Sequence, residues 1–132
     1  MSAHATSTFE VKAWDEKPFD EIDGGGKLTR ASVTKSFHGD IEGEGKVEYL
    51  MMHRADRSAI FVGLERVTGR LGDRSGSFVL QHSGTFADKT ARGTLVVVAG
   101  SGTGELHGLR AEGSFVAEHG PKGSMTLDYD FQ

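Results

Sequence analysis

Residues 95–115, with the sequence LVVVAGSGTGELHGLRAEGSF, constrain the fold of this chain more than any other stretch. A short apolar run stops at a glycine-rich segment, residues 100–104, and the chain then continues as alternating apolar and polar residues. Valine favours extended backbone, whereas glycine, present at three of these five positions, accepts the positive φ angles that tight turns need. We therefore predict two strands joined by a tight connection.

The same alternation of extended segments and turn residues continues along the whole chain. Glycine, aspartate and proline occupy the gaps, and no window of about a dozen residues has the apolar period of an amphipathic helix. Short links join antiparallel neighbours, and a closed sheet has no exposed edges. The sequence thus predicts an all-β fold, a closed eight-stranded antiparallel up-and-down barrel that forms a single domain over residues 1–132. The predicted strands cover residues 8–16, 27–38, 43–53, 59–71, 76–86, 91–99, 105–117 and 124–131.

The composition narrows the class of protein. With 15 Lys and Arg residues against 19 Asp and Glu residues, the net charge is -4, which argues against a nucleic-acid partner. The absence of cysteine excludes disulfides, thiolate catalysis and cysteine-ligated metals. Residues 1–9 lack the apolar core of a signal peptide, and no later run has the length of a membrane span, so we expect a cytoplasmic protein with no membrane partner.

Polarity along the strands predicts which side chains enter the barrel. Apolar residues alternate with polar or charged residues in the first, third, seventh and eighth predicted strands, so one face of each should be buried. The predicted inward residues are Phe9, Val11, Ala13, Val47, Tyr49, Met51, Leu109, Ala111, Phe115, Met125, Leu127, Tyr129 and Phe131.

The middle strands are apolar on both faces. Residues 59–64 and 95–98 contain only apolar residues and glycine. A single closed barrel covers only one face of such a strand. We therefore expect Ile60, Val62 and Leu64 to pack against another subunit, which predicts a homo-oligomer.

Several segments resemble a known family. The sequences GSFVLQHSGT at residues 76–85, GSGTGEL at 100–106 and LDY at 127–129 are similar to the signature segments of the bacterial domain of unknown function family 3224, and residues 39–43 and 63–66 fit in the same order. The resemblance covers nearly the whole chain. It implies an eight-stranded barrel similar to that of allene oxide cyclases and, more distantly, of dirigent proteins, and it implies that the barrel is often oligomeric. It implies no particular reaction, because the family has no established activity and a fold does not determine one.

Motifs for phosphate or metal binding are incomplete. Glu105 and Leu106 stand where a Walker loop needs lysine followed by serine or threonine, and the dinucleotide pattern would need glycine at position 105. Residues 40–44 have the acidic spacing of a calcium loop, but Met51 occupies the position of the closing acidic ligand. The six histidines lack the spacing of a zinc site. We therefore expect no metal and no cofactor.

Two polar residues lie on otherwise apolar strand faces, Glu65 and His82. If those faces enter the barrel, burial displaces the pKa of the carboxyl group and of the imidazole toward values useful in general acid and base catalysis, so we predict that both are catalytic. Inward tyrosines supply phenolic donors, and a glycine beside the carboxylate leaves room for a guest. The predicted ligand-binding residues are Tyr49, Phe61, Gly63 and Tyr129.

The same side chains have a structural alternative. Glu65 could pair with a nearby arginine, at position 66, 70 or 74, and His82 could be a hydrogen-bonded core residue. Two functions remain open at this point. The first is a barrel that binds a small apolar ligand in its lumen, with a cofactor-independent cyclase or isomerase as the expected enzyme if there is catalysis. The second is a noncatalytic structural or oligomer-forming barrel whose phenylalanines fill the lumen.

Overall fold

The computed structural model describes residues 3–118 and 120–132, and there the chain is all β, as predicted. Each strand pairs antiparallel with the next one along the chain, and the last pairs with the first, so the sheet is a closed eight-stranded barrel. Residues 1, 2 and 119, the last of them part of a predicted turn, lie outside the described residues. The strands are β1 (Ala3–Ile22), β2 (Gly26–Gly39), β3 (Ile41–His53), β4 (Ala59–Leu71), β5 (Arg74–Ala87), β6 (Thr90–Val97), β7 (Leu109–Glu118) and β8 (Lys122–Phe131).

Because the strands alternate in direction, the barrel has two different ends. The β1–β2, β3–β4, β5–β6 and β7–β8 connections lie together at one end, which we call the open end. The β2–β3, β4–β5 and β6–β7 connections lie at the other, which we call the closed end. Among the described residues, no helix is long and apolar enough to cross a membrane.

The β6–β7 connection covers the closed end of the barrel. Its structure differs from the prediction. It is not a tight turn, because β6 ends at Val97 and β7 begins at Leu109, with a short 3₁₀ turn (Gly104–Leu106) between them. Thr103 donates its backbone N–H to the carbonyl oxygen of Ser77 at 2.8 Å, and Leu106 is fully buried. The predicted strand start at residue 105 was therefore wrong. The glycine-rich segment folds back along the first part of β5 and covers the closed end of the barrel.

A β-bulge in β1 changes which residues face the interior. The β1–β2 register shifts between Val11 and Ala13. A one-residue shift moves every later side chain to the opposite face of a strand. The prediction that Ala13 faces inward was therefore wrong: Ala13 is exposed, and Trp14 and Glu16 lie on the interior side instead.

Aromatic rings inside the barrel lie over glycines of neighbouring strands. In the described part of the chain, four of the interior rings, two of them Phe61 and Phe115, stand directly opposite a glycine on which they pack. A Cβ atom added at any of these glycines would overlap the opposing ring, so glycine is what gives the rings their space. The pairs are Phe9 with Gly123, Tyr49 with Gly63, Phe61 with Gly84, and Phe115 with Gly93.

The outer face of the middle strands is exposed and apolar, as the sequence indicates. Ile60, Val62 and Leu64 on β4 are 41%, 51% and 56% exposed. Leu50 on β3 and Val96 on β6 are also exposed, and they face outward on either side of β4 and β5. We call these five residues the outer apolar patch.

Candidate functional site

A cavity of about 290 Å³ occupies the open half of the barrel. Small side chains create it, since the strand positions nearest the open end carry Ala59, Ala91 and Ala117. One layer deeper, the rings of Phe61 and Phe115 narrow the lumen, with their centroids 6.0 Å apart. The lumen is thus neither empty throughout nor filled throughout: it is packed toward the closed end and open above the aromatic layer.

Lys35 and Tyr49 supply the polar groups of the cavity floor. Lys35 Nζ donates a hydrogen bond to the Tyr49 hydroxyl oxygen at 2.8 Å, and both side chains are buried. The same ammonium lies 4.9 Å from the centroid of the Phe9 ring, a distance at which a cation is attracted to an aromatic face. An ammonium and a phenol therefore meet at the bottom of a pocket with apolar walls.

Glu65 and His82 lie next to this pair, outside the lining of the cavity, and are 1% and 3% exposed. His82 Nε2 and Glu65 Oε1 are 2.7 Å apart, and Lys35 Nζ is 3.5 Å from the same oxygen. The His82 ring also packs edge-on against Tyr49, with 5.5 Å between the ring centroids. Four polar side chains from β2, β3, β4 and β5 thus form one buried network. We call Lys35, Tyr49, Glu65 and His82 the buried quartet.

Burial and mutual contacts set the charges of the buried quartet. Burial pulls the pKa of Lys35 down, but the Glu65 carboxylate and the Tyr49 oxygen more than offset it, so its pKa lies above the ordinary value. Burial would raise the pKa of Glu65, but Lys35 and then His82 hold it below its usual range. Burial lowers the pKa of His82 and raises that of Tyr49. Near neutral pH, Lys35 is therefore cationic and Glu65 anionic, while His82 and Tyr49 are neutral.

The neutral state of His82 determines its hydrogen-bond direction. An ionised carboxylate can only accept, so His82 Nε2 carries the proton and donates it to Glu65 Oε1. Two buried acceptors, His82 Nδ1 and Glu65 Oε2, then have no hydrogen-bond partner within the described part of the chain. Buried polar atoms without a partner are rare, so these two call for a physical explanation.

A second polar cluster lies at the open end. Glu16 and His53 both line the cavity, and His53 Nε2 is 2.6 Å from Glu16 Oε2. Thr29 and Trp14 also donate hydrogen bonds to the Glu16 carboxylate, at 2.7 and 2.9 Å. Burial would raise the pKa of Glu16, but the hydrogen bonds from Thr29, Trp14 and His53 hold it below its usual range. The cavity therefore has polar groups at both ends and apolar walls between them.

The described residues hold no cluster of three or more histidine and carboxylate side chains that is placed to bind a metal ion.

The structure brings some of the predicted site residues together. Glu65, His82 and Tyr49 belong to the buried quartet, and Phe61 lines the cavity. Glu65 and His82 do not themselves line the cavity that the described residues form, whereas their partners Tyr49 and Lys35 do. Glu65 also has no arginine partner among the described residues, since β4 carries its arginines on the outer face, and Lys35 takes that place.

Two predicted ligand-binding residues lie elsewhere. Gly63 leaves no room for a guest, because the Tyr49 ring covers it: an added Cβ would lie 2.7 Å from Tyr49 Cδ1. Tyr129 lies near the closed end of β8, paired with Ala3 and packed against Phe131, well away from the cavity. The inward parity of Tyr129 was not enough to place it, because parity gives a face of the strand and not a depth in the barrel.

Lys35 is the member of the buried quartet that the sequence analysis missed. It shares the parity of Val33 and Phe37, both buried, so a lysine within an apolar register was a signal that could have been read. No comparable signal predicted that Trp14 and Glu16 would line the cavity. The β1 bulge that turns their side chains inward is not marked in the sequence by a glycine or a proline.

With this geometry in place, the chain can be compared with known proteins. The family model described as "Protein of unknown function (DUF3224)" matches residues 5–129. The chain belongs to the DUF3224 family. A solved structure of a DUF3224 protein of unknown function from Shewanella oneidensis MR-1 is 34% identical to it, with a TM-score of 0.82, over 100% of this chain and 99% of that one. A search of curated proteins gives no match.

Proposed function

We propose that this DUF3224 barrel binds a small, largely apolar molecule in the cavity at its open end. The observation that carries the proposal is a cavity of about 290 Å³ with apolar walls and a floor made by a buried ammonium and a buried phenol. That volume is near the lower end of the range for ligand pockets, about 300–1,000 Å³. Few convergent polar groups in an apolar pocket are typical of sites that orient one polar atom of a ligand.

The chemistry that suits this site is a cyclisation or isomerisation without a cofactor. A dry pocket folds its substrate into a reactive conformer, and one or two charged or hydrogen-bonding groups stabilise the charge that develops. In this proposal Lys35 and Tyr49 contact the substrate. Glu65 and His82 act through them, because the carboxylate keeps Lys35 cationic and the imidazole orients the carboxylate.

Trp14 makes the proposal easy to test. It is the only tryptophan of the chain, it lines the cavity, and its ring stacks 6.1 Å from that of Tyr49. Titration with small cyclic ketones, phenols and terpenes should therefore change its fluorescence in a saturable way. Ala91→Phe fills the cavity and should abolish the response, whereas Ala87→Phe, on an exposed alanine outside the cavity, should leave it intact.

A second function is favoured by a separate observation, the outer apolar patch. Exposed contiguous apolar residues on a barrel are typical of a protein that assembles through that surface. If no compound of the panel changes the Trp14 emission, or if Ala91→Phe responds like the wild type, the noncatalytic assembly protein becomes the better interpretation.

A further inference from the structure

Some hydrogen-bond donors of Lys35 and Tyr49 at the cavity floor make no short hydrogen bond to the described residues. The Tyr49 oxygen accepts a hydrogen bond from Lys35, but the Tyr49 hydroxyl hydrogen has no acceptor among residues 3–118 and 120–132. The ammonium has three N–H groups. One is directed to Tyr49 at 2.8 Å, and the nearest carboxylate oxygen, of Glu65, is 3.5 Å away, longer than an ordinary charged hydrogen bond.

The contact with His82 explains why the Glu65 carboxylate does not lie closer to the Lys35 ammonium. Glu65 Oε1 is engaged by His82 at 2.7 Å, and the other oxygen, Oε2, lies against the Cα of Gly45, where an added Cβ would overlap it. The carboxylate is thus held by His82 and seated against glycine, and its contact with Lys35, at 3.5 Å, is mainly Coulombic. Glu65 keeps the ammonium charged. The N–H groups of Lys35 that do not bond Tyr49 remain able to donate to an acceptor in the cavity.

We propose that Lys35 and Tyr49 form an oxyanion site, so that the ligand of the cavity is an apolar molecule that bears one carboxylate, phenolate or enolate oxygen. This inference rests on the proposed function and names the ligand class. A cationic and a neutral donor that meet in a buried site bind a negatively charged oxygen far better than they bind a neutral one. Glu65 and His82 are the positioning residues of the site. The Glu16 carboxylate, at the open end, is engaged by its own hydrogen bonds, and at the floor the cavity is lined by the Lys35 ammonium and not by the Glu65 carboxylate.

The probe that tests the proposal is 4-nitrophenol, a small aromatic molecule whose ionised form absorbs visible light. Beside a buried ammonium the bound probe should ionise more readily, and its apparent pKa should fall by about one unit or more. In the variant Lys35→Met/Glu65→Gln, which removes both charges and keeps the interior neutral, bound probe should ionise less readily than free probe. Tyr49→Phe should give an intermediate shift, and Lys46→Met, on the outer face of β3, should behave as the wild type.

Two ligands of similar shape, one charged and one neutral, then separate the contribution of charge to binding from that of apolar contact. Benzoate should displace 4-nitrophenol at least about tenfold more effectively than benzyl alcohol, a ratio expected for one charge-assisted contact, and the ratio should disappear in Lys35→Met/Glu65→Gln. Circular dichroism checks that each variant keeps the barrel. Equal competition by the two ligands, or a bound probe whose pKa is unchanged or raised, would overturn the oxyanion site while leaving a binding cavity. Absence of 4-nitrophenol binding by equilibrium dialysis would count against the cavity as a ligand site and so against the proposed function itself.

Discussion

His82 shows how one buried residue couples the interior to pH. Burial lowers its pKa below the ordinary value that it has in the unfolded chain, about 6.5. As the pH falls through that value, the unfolded chain takes up a proton that the folded chain does not, so the free energy of unfolding decreases. The contribution of this residue is fully present above pH 6.5 and is lost as the pH falls toward its pKa in the folded state.

We therefore expect His82→Gln to flatten the dependence of stability on pH. The glutamine amide can donate to Glu65 in place of the imidazole but does not titrate. Urea unfolding at pH 7 and pH 5 measures the effect: the wild type should lose stability on acidification, and the variant should lose less. His107→Gln, at an exposed position, is the matched control and should behave as the wild type. Equal losses in His82→Gln and the wild type would show that His82 does not carry this linkage.

At the scale of elements, the connection between β6 and β7 decides that the barrel opens at one end only. Ser101 Oγ accepts the backbone N–H of Val79 at 3.0 Å, and Thr103 Oγ1 accepts that of Ser77 at 3.0 Å, so loop side chains replace the missing strand partner of β5. Leu106, with none of its surface exposed, packs in the core and fixes the β6–β7 connection over the closed end of the barrel.

Removal of the Leu106 side chain should destabilise the whole barrel. Leu106→Ala leaves a cavity at a fully buried site, and we expect the free energy of unfolding to fall by about 2–5 kcal/mol. Phe19→Ala, at a phenylalanine that is 59% exposed and lies outside the outer apolar patch, should change it by no more than about 0.5 kcal/mol. Denaturant unfolding followed by circular dichroism gives both values. A small effect of Leu106→Ala would mean that the connection is not part of the cooperative fold.

At the scale of the whole molecule, the outer apolar patch predicts assembly. Leu50 and Val62 stand opposite each other in the strand register, so the patch runs continuously across β3 and β4. Burial of such a surface against a second copy is favoured at about 25 cal/mol for each Å² of apolar area.

We expect light scattering to report a homo-oligomer at micromolar concentration and Val62→Lys to convert it to a monomer. A buried lysine without a partner opposes association, whereas the barrel interior is untouched. Ser114→Lys, on the exposed face of β7, introduces the same charge elsewhere and should leave the oligomer intact. A monomeric wild type would show that the two-faced apolar pattern of the middle strands has another cause.

Much of the fold was predictable from the sequence, because strand alternation and turn chemistry are local. The predicted bounds of β4, residues 59–71, agree with the structure, and the other strands differ mainly at their ends. The errors occur where a contact distant in sequence decides the local structure. Residues 105–108 alternate like a strand but fold against β5, and Ala13 faces outward because of a bulge in the pairing with β2.

The sequence by itself determined that the barrel would be closed, that Glu65 and His82 would face inward, and that the middle strands would be apolar on both sides. Only the tertiary structure decided that Lys35, from β2, joins them and that Lys35 and Tyr49 line the cavity while Glu65 and His82 do not. The physical reason is that a two-residue period specifies a face, whereas the depth of a side chain in the lumen depends on strand stagger and on the volumes of side chains from the other strands. The cavity exists where alanines from β4, β6 and β7 reach the same level, which is a property of the closed barrel and of no single segment.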